Sequence, residues 1–148
     1  MYLTSVLALL LVFPLLSIGI QSIAAHAPVL PAVLAKWFVF WAVGVRMLIA
    51  GLRQIFQPRY TAQSILGIRD ASAHIVVREL GIANTSIGAL GIATLMVPAW
   101  LGAAALGGGI FYGLAGINHA RHAGRSFNQN VAMVTDLLAA LALAAMFA

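Results

Sequence analysis

Charged side chains inside apolar runs are the residues of this sequence that could do chemistry. The run 37–56, WFVFWAVGVRMLIAGLRQIF, carries Arg46 and Arg53, and two later apolar runs carry Glu79 and Asp136. An arginine at the centre of a membrane helix costs about 2.5–3.5 kcal/mol on insertion scales. We therefore expect these groups to pair inside a helix bundle, where ionisable residues commonly mark a functional site.

Depth along the helices predicts which of these groups can meet. At a rise of about 1.5 Å per residue, Arg53 lies near the level of Glu79. Arg46 lies deeper, near the levels of Asn84 and Asp136. Three polar side chains of a later apolar run reach the same part of the bundle: Tyr112, Asn118 and His119.

This polar cluster has two interpretations. In the first, Arg53 with Glu79 and Arg46 with Asp136 are ion pairs that only hold helices together. In the second, the cluster lines a pocket open to one side of the membrane, where an arginine would bind a carboxylate, a phosphate or a quinone oxygen. A quinone or a lipid is then the candidate ligand, and no other cofactor is indicated. The sequence leaves both interpretations open.

The composition is that of a membrane protein. Of the 148 residues, 63% are hydrophobic and 7% are charged, whereas about a quarter of the residues of a soluble domain are charged. The net charge of +5 comes from only eight basic and three acidic residues, which suits anionic lipid better than nucleic acid. The absence of cysteine excludes thiolate catalysis and iron–sulfur clusters.

Five apolar runs are long enough to cross a bilayer as helices, which takes about 20 residues each. They cover about 3–25, 33–56, 75–97, 100–118 and 129–147. We therefore predict an all-α, polytopic membrane helical bundle that forms a single domain over residues 1–148. A cleaved signal peptide is the competing interpretation of the first run. We favour a retained span, kinked at Pro14, because the run lacks a basic start and exceeds the usual apolar length.

Basic residues accumulate on one side of this five-span topology. That side collects Arg59, Arg69, Arg121 and Arg125, whereas the other side has Lys36 alone. The positive-inside rule then places the amino terminus in the cytoplasm.

A metal site is not predicted. His119 and His122 are three residues apart and share a helical face. They lie at the end of a span, and no third ligand is adjacent to them.

Glycines are concentrated on two of the apolar runs. Small residues let membrane helices approach closely, so we predict helix-packing roles, within the bundle or between subunits, for Gly88, Gly91, Gly109, Gly113 and Gly116. The fourth run has more glycines than the packing of one bundle requires, which predicts a homo-oligomer or a place in a larger membrane complex.

One segment resembles a known family. The run GVRMLIAGLRQIF followed by RELGIANTSIGALGI is similar to the DoxX-like small bacterial four-helix membrane proteins, and the likeness covers roughly residues 37–97. The matching residues are Arg46, Gly51, Glu79, Leu80, Gly81 and Gly88. The chain departs from the pattern in an extra leading span and in Arg53.

The resemblance implies a four-helix core in a bacterial cytoplasmic (inner) membrane. The extra leading span of this sequence adds one N-terminal helix to that core. Family members with a known role are accessory subunits of membrane redox systems. With no catalytic triad or cofactor motif in the sequence, we expect a non-enzymatic accessory or scaffold subunit. The alternative is a protein that binds a quinone, a lipid or an anion at its Arg/Glu/Asp cluster.

Overall fold

Long apolar helices form the fold. The computed structural model describes residues 2–26 and 28–148. In these ranges five helices are long and apolar enough to cross a membrane, and no strand occurs. The helices are α1 (Tyr2–Ala24), α2 (Pro31–Phe56), α3 (Ala73–Ala93), α4 (Pro98–Arg121) and α5 (Phe127–Phe147). The all-α class and the polytopic bundle are therefore confirmed.

Local sequence signals set several helix ends. Proline occupies the first turn of both α2 and α4, where its missing N–H costs no hydrogen bond. Helix α3 ends four residues before the expected boundary at 97, because Pro98 disfavours helical geometry at Val97, which has φ −127° and ψ 83°. A capping box of Ser126 and Gln129 begins α5.

Helix α1 continues through Pro14 without a break. Residues 8–12, directly before Pro14, form a π-helical turn. A wider turn here relieves the clash that a proline ring makes with the carbonyl of the preceding helical turn.

Helices α2 and α3 are antiparallel and touch backbone to backbone. A Cβ atom added at Gly91 would lie 2.6 Å from the Cα of Gly44, and one added at Gly88 would lie 2.8 Å from the Cα of Leu48. Real side chains do not tolerate such distances, so this interface accepts only glycine at these positions. Gly88 and Gly91 thus lie at a helix contact, in agreement with the helix-packing roles that the sequence predicts for them.

The three packing glycines of α4 face α5 of the same chain. A Cβ atom added at Gly116 would lie 2.7 Å from the Cγ of Leu137, and Cβ atoms at Gly109 and Gly113 would make ordinary contacts of 3.5 and 3.7 Å with α5. Gly107 has no neighbouring atom within 4 Å of such a Cβ. These three glycines therefore take part in packing within the bundle.

Helix α1 is joined to α2 by polar contacts between side chains. The indole Nε1 of Trp41 donates to Ser17 Oγ at 2.9 Å, and that of Trp37 donates to Gln21 Oε1 at 2.7 Å. Both tryptophans therefore fix the position of α1 against α2.

One end of the bundle carries nearly all the positive charge. Because neighbouring helices are antiparallel, the connections 57–72 and 122–126 lie at the same end, which we call the basic end. A short helical segment, 58–65, occupies part of the first connection. Every arginine except Arg46 belongs to this end: Arg53, Arg59, Arg69, Arg78, Arg121 and Arg125. The opposite end contains Lys36.

Candidate functional site: a buried ion pair and an apolar cleft

A buried ion pair joins α2 to α5. Arg46 Nη2 lies 2.6 Å from Asp136 Oδ1 and 3.4 Å from Thr135 Oγ1, to which it also donates. Only 9% of Arg46 and 7% of Asp136 is exposed. A charge-assisted hydrogen bond of this length is strong in a medium without water. The pairing that residue depth favoured for Arg46 and Asp136 is the one the structure contains.

The backbone of α2 is adapted to hold Arg46. Residues 39–45 form a π-helical segment, and the N–H of Arg46 donates to the carbonyls of Trp41 and Val43 in place of that of Ala42. The Tyr112 hydroxyl of α4 donates to the freed Ala42 carbonyl. A buried carbonyl needs a partner, so Tyr112 compensates the irregular turn from outside the helix.

Tyr112 also contacts Arg46 directly. The guanidinium carbon of Arg46 lies 4.6 Å from the centre of the Tyr112 ring, within the range of a cation–π interaction. Arg46 Nη1 is buried and has no hydrogen-bond partner among the described residues. Arg46 is therefore enclosed by side chains of α4 and α5.

The predicted pairing of Arg53 with Glu79 is wrong. Both residues are exposed, and no salt bridge joins them in the described ranges. Arg53 and Glu79 lie at similar depths, but Arg53 lies on the wrong side of α2 to reach α3. Arg53 lies two residues, or about 200°, from Gly51, which is one of the residues of α2 in close contact with α3. Arg53 therefore points away from α3 and stacks on Tyr60, with its Cζ 3.6 Å from the ring centre.

Asn84 has a partner that the sequence analysis missed. Its Nδ2 donates to Gln54 Oε1 at 2.8 Å, with both side chains buried, while Asn84 Oδ1 has no hydrogen-bond partner. The expectation that Asn84 belongs with Arg46 is therefore wrong. Gln54 follows Gly51 by three residues and so shares its helical side, but the sequence alone does not show that this side of α2 faces α3.

The remaining predicted residues lie nearer the basic end. Asn118 is exposed, and its carbonyl lies 2.8 Å from His122 Nδ1. His119 is half-buried, and its carbonyl accepts a hydrogen bond from Arg125. These contacts end α4 and do not extend the buried cluster. No group of three metal-ligating side chains occurs within residues 2–26 and 28–148.

An apolar cleft lies in the half of the bundle that is away from the basic end. Its volume is about 700 Å³. It is lined by α1, α2, α4 and α5, and no lining residue is ionisable: Leu10, Leu11, Pro14, Leu15, Ile18, Pro31, Ala32, Leu34, Ala35, Phe38, Leu101, Gly102, Ala142, Ala145, Met146 and Phe147. Neither Arg46 nor Asp136 lines it, so the ion pair and the cleft are separate features.

Comparison with known proteins gives a family. The sequence matches DUF6790, described as a family of unknown function, over residues 1–148. The chain belongs to this family. No curated protein and no solved structure matches it. This DUF6790 chain is thus a multi-pass membrane protein with five candidate spans, and the comparisons assign no DoxX-like membership to it.

Proposed function

We propose that the protein is a non-enzymatic subunit of a membrane complex and that a transmembrane helix of another subunit packs into the apolar cleft. The observation that carries the proposal is the contrast between an enclosed polar cluster and an open apolar cleft. Arg46 and Asp136 neutralise each other and are less than a tenth exposed. A substrate or an anion would have to break that pair to reach either group.

The walls of the cleft favour a helix as its occupant. Small residues come from three different helices: Ala32 and Ala35 from α2, Gly102 from α4, and Ala142 and Ala145 from α5. In lipid, helices associate through close packing, and small residues permit the backbones to approach. A partner helix with bulky aliphatic side chains would fill the volume between them.

The positive charge of the basic end supports one orientation of the bundle in the membrane. Positive charge accumulates on cytoplasmic connections, so we propose that the basic end and the amino terminus are cytoplasmic and that the cleft lies in the outer half of a bacterial inner membrane. The resemblance to DoxX-like proteins supports an accessory role in a redox complex. Reporter fusions in the 57–72 connection test the orientation, and an external reporter would contradict it.

A second candidate function uses the same cleft. Its volume of about 700 Å³ falls within the roughly 300–1,000 Å³ of small-molecule sites. A lipid chain or the isoprenoid tail of a quinone would match its apolar walls.

A pair of tryptophan variants separates these functions. Ala35→Trp places a large ring in the cleft, and Ala89→Trp places the same ring on an exposed position of α3. Both positions lie four residues from the same end of the bundle, so the control matches in depth. Each variant is purified from its native membrane in mild detergent and weighed by native mass spectrometry.

We expect the parent and Ala89→Trp to retain a partner subunit and Ala35→Trp to lose it. Retained lipid or quinone that Ala35→Trp alone loses would favour the second candidate. Masses that are multiples of this chain would assign the partner to a second copy. A parent protein that is monomeric and free of any small molecule would contradict both candidates.

A further inference from the structure

Arg53 is an intramembrane cation that has no anionic partner among the residues that the structure describes. It lies three residues from the end of α2, about 4.5 Å along the axis, and it makes no hydrogen bond or salt bridge in the described ranges. The chain has three acidic residues. Asp136 pairs with Arg46, Asp70 accepts the N–H of Ser72, and exposed Glu79 lies on a helix that Arg53 does not face.

The Tyr60 ring holds the guanidinium of Arg53 in place. Helix α2 ends at Phe56, and the segment 58–65 folds so that Tyr60 lies 3.6 Å from Arg53 Cζ. Stacking occupies one face of the planar group and leaves its N–H edges unused. Those edges form the fork that matches a phosphate or carboxylate with two parallel hydrogen bonds.

Apolar side chains surround this cation on the lipid-facing side of α2. A shallow groove on the surface of α2 is lined by Leu52, Arg53, Phe56 and Gln57. Phe56 is 77% exposed and Leu52 is 40% exposed. In a bilayer these two side chains meet acyl chains, while Arg53 is at the depth from which a long side chain reaches the headgroups.

We propose that Arg53, held on Tyr60, binds the phosphate of an anionic phospholipid whose acyl chain lies along Leu52 and Phe56. The site is independent of the apolar cleft, which lies at the other half of the bundle. It gives the basic end one localised lipid site in addition to the diffuse attraction that clustered arginines exert on an anionic membrane surface.

The test uses delipidated full-length protein in mild detergent and native mass spectrometry. Three probes are titrated: phosphatidylglycerol, diacylglycerol with the same chains, and inorganic phosphate. We expect phosphatidylglycerol to bind at least about tenfold more tightly than either of the others, because only it supplies both the phosphate and the chain. Inorganic phosphate binding as tightly as phosphatidylglycerol would identify a soluble anion as the ligand and overturn the lipid assignment.

Three variants locate the site. Arg53→Gln should weaken phosphatidylglycerol binding about tenfold, since it loses charge-assisted hydrogen bonds. Arg53→Lys should keep part of the affinity, because it retains the charge without the planar fork. The control Arg69→Gln removes an exposed arginine of the same end that forms no salt bridge within residues 2–26 and 28–148, and it should change the affinity less than about twofold.

Two results would overturn the proposal. One is an affinity of Arg53→Gln equal to that of the parent, with the melting temperature of the variant unchanged. The other is an equal loss in Arg69→Gln and Arg53→Gln, which would mean that the lipid senses only the net charge of the basic end. Because Arg53 is exposed and forms no ion pair with any residue of the described part of the chain, Arg53→Gln should fold as the parent does.

Discussion

Replacing Asp136 by leucine should destabilise the bundle more than any other single substitution in the polar cluster. The change removes the carboxylate that lies 2.6 Å from Arg46 Nη2. Arg46 is 9% exposed, and a guanidinium cannot lose its proton in a protein. The variant would therefore leave a permanent charge in the interior, for which the expected cost is about 3–5 kcal/mol.

The reverse single variant should cost less. In Arg46→Met the group left behind is Asp136, and a carboxylate can take up a proton and become neutral. The double variant Arg46→Met, Asp136→Leu removes both charges and should return to within about 1–2 kcal/mol of the parent, since apolar side chains of similar volume often replace a buried ion pair without loss.

The assay is thermal unfolding in mild detergent, followed by tryptophan fluorescence. At about 2–4 °C per kcal/mol for a domain of this size, Asp136→Leu should lower the melting temperature by roughly 6–20 °C. Leu138→Ala, at a lipid-facing position of α5 that is 59% exposed, serves as the control and should change it little. A parent-like melt of Asp136→Leu, or a double variant as unstable as the worse single one, would refute the reasoning.

Two further predictions concern the contacts that position this ion pair. Tyr112→Phe removes the hydroxyl that donates to the Ala42 carbonyl. It should lower the free energy of unfolding by about 1–3 kcal/mol, because that buried carbonyl loses its side-chain donor. A melting temperature equal to that of the parent would mean that the carbonyl has another donor. Gly91→Ala puts a Cβ atom 2.6 Å from the Cα of Gly44 and should cost about 1–3 kcal/mol or more by overpacking. Gly107→Ala, where no atom lies within 4 Å, should stay within about 1 kcal/mol of the parent, and equal melting temperatures for the two alanine variants would contradict the close contact.

The depth of each residue along its helix can be predicted from this sequence. Which side of the helix faces a given neighbouring helix cannot. Helix rise is nearly constant, so residue depth brings Arg46 to the level of Asp136 correctly. The same reasoning pairs Arg53 with Glu79 and fails, because it omits which side of α2 faces α3. That side is defined by Gly51, and glycine contacts become known only when both helices are in place.

The π-helical segment 39–45 is another feature that the sequence does not predict. It releases the Ala42 carbonyl, and the compensating Tyr112 hydroxyl comes from a helix about 70 residues later in the chain. Helix periodicity describes one helix at a time. An irregular turn stabilised by a distant side chain therefore lies outside what periodicity can predict.

In a bilayer, exposed apolar side chains do not indicate a contact site on this protein as they would in water. In water an exposed apolar patch marks a contact site, but in a bilayer apolar exposure is general, as the exposed Leu15, Ile20 and Leu141 illustrate. Burial of apolar surface therefore cannot drive recognition here, and only shape and polarity remain. The cleft differs from the rest of the lipid-facing surface in shape, and Arg53 differs from it in polarity. That is why these two places carry the proposals, whereas the enclosed Arg46 and Asp136 pair is assigned to stability.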